Sequence, residues 1–106
     1  METMTEKKDT TYNGWTNYET WNVALWLDND RTEYEVTRSK ARAYRIGGAL
    51  HEGRTAAGEF ADWLQEYVDE TRPEIPASMW SDLLSAAFSE VNWYEIAENL
   101  LAEDDA

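Results

Sequence analysis

A chain of 106 residues with a net charge of −13 and no cysteine is enough for one domain that buries roughly two thirds of its unfolded surface, and it excludes disulfide frameworks and thiolate metal sites. The charge is uneven, with a net of −4 over residues 1–30, +3 over 31–54 and −12 over 55–106. Such a surface repels nucleic acid and anionic membrane and attracts basic partners. The longest apolar run, "VALWL", is far shorter than a membrane span, and the first twelve residues hold no apolar leader core, so a cytoplasmic protein is expected.

Residues 1–14 are polar, lack periodicity and end in the turn pair Asn13–Gly14. They predict a flexible arm ahead of a single helical domain over 15–103, with 104–106 a frayed acidic tail. The first helix is expected from Tyr18 to Asp28, behind a capping box of Thr16 and Glu19 with Asn17 as a competing cap. Tyr18, Trp21, Leu25 and Trp26 fall on one side of its wheel, and Val23, Ala24 and Leu27 fall on the others. A helix apolar nearly all round is one enclosed by its neighbours, so this tryptophan-rich helix is expected at the centre.

A second box, Thr32 with Glu35, opens a helix whose stripe is Tyr34, Thr37, Ala41 and Tyr44, flanked by Arg38, Arg42 and Arg45 and stopped by Gly47–Gly48. Phe60, Trp63, Leu64, Tyr67 and Val68 give the cleanest amphipathic stripe, for a helix from about Ala56 to Glu70. "TRPEIP" then breaks the chain. A fourth helix is expected over Ala77–Glu90, with Met79 or Trp80, Leu83, Leu84, Ala87 and Phe88 facing in. The last begins behind Asn92, with Glu95 at its third position, and carries Trp93, Ile96, Ala97, Leu100 and Leu101. No stretch alternates with period two. The fold class is therefore all-α, a bundle of about five short helices around the first. "TNYETWNVAL" and "VNWYEIAENL" echo one another, each setting an Asn cap before Tyr–Glu.

His51 is the only histidine, which makes a transition-metal site improbable chemistry here. "DNDRTEYEVTRS" lacks the glycine and the bidentate glutamate of a calcium loop, having Glu33 and Ser39 at those places. The glycines match no nucleotide loop, and there is no Gly-x-Ser-x-Gly elbow. The expectation is a non-enzymatic protein without metal or cofactor. What stands out is a row of acids. Glu59, Asp62, Glu66 and Asp69 or Glu70 recur on the flank of the third helix opposite Trp63 and Leu64, over about 16 Å at 1.5 Å per residue. Glu98 of the last helix extends it, as do Asp82, Glu90, Glu103, Asp104 and Asp105. A stiff run of carboxylates resembles a phosphate track to a groove lined with Lys and Arg. The competing expectation is a solvated helix face, with Trp15, Trp80 or Trp93 as hydrophobic anchors of an adaptor or homo-oligomer.

"YNGWTNYETWNVALWLDND" (12–30) and "LLSAAFSEVNWYEIAENLL" (83–101) resemble the two ends of a family of small proteins encoded mainly by phages, plasmids and other mobile elements, a domain of unknown function. In charge and size the chain is also similar to the acidic phage proteins that imitate DNA to block restriction or CRISPR systems. These resemblances imply an inhibitor that occupies a basic nucleic-acid-binding protein of a host defence system, through Glu59, Asp62, Glu66, Asp69, Glu70 and Glu98. They imply no catalytic residue.

Overall fold

The computed structural model describes residues 11–103, in which five helices follow one another and no strand forms. They are α1 (Tyr18–Asn29), α2 (Arg31–Gly47), α3 (Ala56–Asp69), α4 (Met79–Ser89) and α5 (Trp93–Ala102). No helix among the described residues is long and apolar enough to cross a membrane.

Short polar side chains start every helix by accepting an otherwise unpaired amide of the first turn. Asn92 does so for α5, taking the Glu95 amide at 3.1 Å, as expected. Thr55 caps α3 and Ser78 caps α4. At α1 the competing cap wins, with Asn17 Oδ1 accepting from Thr20 N at 2.9 Å. Neither expected threonine starts its helix, because Asn17 caps α1 and Asp30 caps α2. Asp30 also closes α1, donating its amide to the Trp26 carbonyl at 3.1 Å. One residue thus ends one helix and starts the next, so α1 turns directly into α2. Gly48 ends α2 at φ 71°, a left-handed conformation that glycine adopts without steric cost.

Phe60 and Leu64 of α3 pack with Ile96, Ala97 and Leu100 of α5, and Ala41 and Tyr44 of α2 close over them. The α3–α5 pair is the most extensive in the fold, so the centre is α3 and α5. That corrects the expected central role of α1, where only Thr20 and Leu27 are buried. Tyr18, Leu25 and Trp26 face solvent instead. The side of the wheel richest in rings is the outer one because the opposite side meets α5 through Thr20.

At that junction Thr20 Oγ1 donates to Asn17 Oδ1 at 2.6 Å and accepts the Asn92 amide at 2.8 Å. Asn17 Nδ2 donates to the Glu90 carbonyl at 2.7 Å, and the Thr16 amide reaches Glu95 Oε1 at 3.0 Å. The echo between the two Asn–Tyr–Glu segments is therefore a junction, at which the starts of α1 and α5 satisfy one another's donors. Two helix N-termini that meet concentrate positive partial charge, which the Glu95 carboxylate offsets. Thr20→Val keeps the shape but strands the Asn92 amide, and the expected loss is about 1–3 kcal/mol. Thr20→Ser, which retains the hydroxyl, should lose distinctly less. Urea midpoints of the two variants check this, and equal midpoints would remove the hydroxyl from the account.

The end of the N-terminal arm is not loose. Tyr12 and Trp15 exchange backbone hydrogen bonds of 2.9 and 2.8 Å across Asn13 and Gly14, both at positive φ, the backbone of a tight hairpin turn. The Tyr12 ring lies 4.9 Å from Trp21 and 5.2 Å from Tyr18. The remainder of the expected arm, 1–10, and the acidic tail, 104–106, lie outside the described residues.

Candidate functional site

The proposed acidic row is only partly a surface. Glu59 is 7% exposed because the connection from α2 folds back over the start of α3. Its Oε1 accepts the Leu50 amide at 2.7 Å, and its Oε2 takes the His51 amide at 2.9 Å and meets His51 Nδ1 at 2.8 Å. The Leu50 amide first, then the His51 ring and amide, hold its carboxyl below the usual glutamate value against the opposing cost of burial. Glu59 is therefore a structural clamp, and its assignment to a partner-binding face is corrected.

Asp62 is exposed and pairs with Arg54 at 2.8 Å, and Asp69 pairs with Arg72 at 3.0 Å. Glu66 of α3, Glu70 at its C-terminal cap and Glu98 of α5 are exposed, and none of the three forms an ion pair with another described residue. Asp62, Glu66, Asp69 and Glu70 do share one flank of α3, as their spacing dictates. Two of the four meet the chain's own arginines. The basic flank of α2 is also used internally, though away from α3. Arg38 binds Asp28 at 2.7 Å and Glu103 at 2.8 Å and lies 4.1 Å over the Tyr34 ring. Arg45 donates to the Leu100 carbonyl at 3.0 Å, where the α5 C-terminus favours a cation.

Apolar side chains also lie on the outside of the described residues, and two groups of them bear on function. The first is α4, which has no buried residue. Ser81, Leu84 and Phe88 are half-buried, and the Phe88 ring lies tilted 5.3 Å from Trp93 and 5.0 Å beneath the Arg72 guanidinium. The neighbouring face of the same helix is apolar as well, yet Met79 is 63%, Trp80 66% and Leu83 53% exposed. With Ala86 and Ala87 they form one solvent-facing stripe. The expectation that Met79 or Trp80, Leu83 and Ala87 face in is thus corrected. The sequence carried a signal for this, since the apolar arc of α4 spans roughly 200° at 100° per residue, too wide for one buried face.

The second is a cleft of about 240 Å³ where α1, α2 and α3 meet. Trp26, 64% exposed, and Val23 line one side, and Tyr67 and Val68 line the other. Asp30 and Glu33 stand at its α2 end. The Tyr67 hydroxyl donates to Glu33 Oε1. That hydrogen bond, and then burial, push the phenol up to about 12, so it stays a donor through the neutral range. Asp30 Oδ1 is used by the Glu33 amide at 3.2 Å. Each carboxylate therefore keeps a second oxygen for another partner. Sequence reasoning missed this cleft because it joins three helices. Of the three tryptophans expected as anchors, Trp93 is buried and Trp15 half-buried, leaving Trp80.

No group of three or more His, Cys, Asp or Glu among the described residues is arranged to hold a metal ion. A family model described as a family of unknown function (DUF7249) matches residues 8–104, well beyond the two segments that first suggested a family. No curated protein and no solved structure matches the chain.

Proposed function

The chain belongs to this family of unknown function, which leaves its surface to carry the functional reading: we propose that it is a non-enzymatic binding protein that occupies the basic groove of a nucleic-acid-handling protein, as an inhibitor of a defence system would. The observation that supports this is that exposed carboxylates at Glu66, Glu70 and Glu98 occur on the same chain as the exposed stripe of Met79, Trp80 and Leu83, on a helix with no buried residue. The stripe alone fits the competing adaptor as well, and the acids favour a basic partner. Aromatic and long apolar side chains that are desolvated on docking supply most of the affinity of a protein interface. Glu74, Asp82 and Glu90 lie close in sequence, and Glu66, Glu70 and Glu98 add further exposed carboxylates. An apolar anchor on a chain of net charge −13 fits a partner whose apolar patch is flanked by Lys and Arg. A second copy of this chain fits poorly, since two molecules at −13 each repel.

Immobilised wild type and Trp80→Ala, loaded with lysate of the source cell or its host, test the reading. Trp80→Ala should retain the partner at least about tenfold less tightly while its thermal midpoint stays unchanged. Raising the salt from 50 to 300 mM should weaken the wild-type complex by about tenfold or more, and added duplex DNA should displace the chain. If the captured protein holds DNA and this chain together, occlusion of the groove is wrong; if both variants retain the same proteins at every salt concentration, α4 is not the anchor.

A further inference from the structure

The geometry points to the cleft between Trp26, Val68 and Tyr67 as a receptor for a single arginine side chain, its guanidinium held by Glu33 and Asp30. The volume, about 240 Å³, falls below the 300–1,000 Å³ of pockets that enclose whole small molecules, and suits one long side chain. The walls are an exposed indole and two half-buried residues, Tyr67 and Val68, which suit the apolar stem of such a residue. At the α2 end two carboxylates each have one oxygen committed, Glu33 Oε1 to the Tyr67 hydroxyl and Asp30 Oδ1 to the Glu33 amide.

A guanidinium offers several donors in a fixed plane and stacks on aromatic faces, so it can bridge two carboxylates beside an indole. A lysine ammonium makes the ion pair without the stacking. The start of α2 contributes only about half a positive charge, against two carboxylates, and the local field remains negative. Arg31, the nearest cation in sequence, is turned to Glu35 at 3.2 Å and leaves the cleft open. This inference rests on the reading that the partner is basic, and it names the side chain such a partner would insert.

The test uses a small probe, so a cleft that ignores arginine and a protein that captures no partner are separate failures. Titration of the full chain with N-acetyl-arginine amide, followed by amide and indole NMR, should shift the Trp26 indole and the Asp30 and Glu33 amides. The uncharged isostere N-acetyl-citrulline amide should not. Trp26→Ala removes a largely exposed ring, and Glu33→Gln removes one charge. Each should weaken binding at least about fivefold, with the remaining amide spectrum of Trp26→Ala unchanged as its control for folding. Equal responses to arginine and citrulline, or shifts scattered over Glu66, Glu70 and Glu98 and absent from the Trp26 indole, would overturn the assignment.

Discussion

Phe60→Ala should cost about 3–5 kcal/mol, a large part of the about 5–15 kcal/mol that holds a domain of this size folded. Phe60 is fully buried, with its ring 5.5 Å from Tyr44 and 6.1 Å from Trp63, at the place where α2, α3 and α5 converge. Removing it deletes apolar transfer energy and leaves a cavity that rigid helices close only in part. Trp26→Ala deletes a larger side chain from the helix that the sequence places at the centre, yet it should shift stability by no more than about 0.5 kcal/mol, as substitutions on the surface do. Urea unfolding of the two variants is thus a direct measurement of where the core lies. A Trp26→Ala loss as great as that of Phe60→Ala would return the centre to α1.

Glu59→Gln should lower the thermal midpoint by about 5–10 °C at neutral pH, and the deficit should fade in acid. The carboxylate accepts from two backbone amides and meets an imidazole nitrogen. A carboxamide has only one accepting oxygen and would turn an NH2 group toward a donor. The hydrogen bond from Leu50, the largest cause, holds the carboxyl below its unfolded value of 4.5. A group shifted downward contributes stability that is fully present above the unfolded value and is lost as pH falls through the folded one. Wild type and variant should therefore differ by a constant amount above about pH 5.5 and converge below pH 4.5. Melting curves from pH 3 to 8 check both halves. A difference that grew as the pH fell would contradict the downward shift.

The helices were legible wherever local chemistry decides. The stripe from Phe60 to Val68 set α3 to within a residue, and Asn92 and Gly48 fixed two helix ends because caps act on amides a few positions away. What was not legible depends on partners distant in sequence. Glu59 falls on the same wheel flank as Glu66, and only the return of Leu50 and His51 over it makes one a clamp and leaves the other in water. Trp26 and Trp80 look like core residues by type, but burial also requires a neighbour to cover them. Here α3 and α5 face one another, and the outer arcs of α1 and α4 stay uncovered.

The junction of Thr16, Asn17 and Thr20 with Glu95, Glu90 and Asn92 spans 79, 73 and 72 positions of chain. During synthesis on the ribosome α1 can pack against the adjoining α2 at once, whereas these three hydrogen bonds form only after Glu90, Asn92 and Glu95 have left the exit tunnel. A chain that ended before Asn92 would lack α5, the helix that packs most extensively on α3, and the start of α1 would lose the acceptor and the donor that α5 and its cap supply.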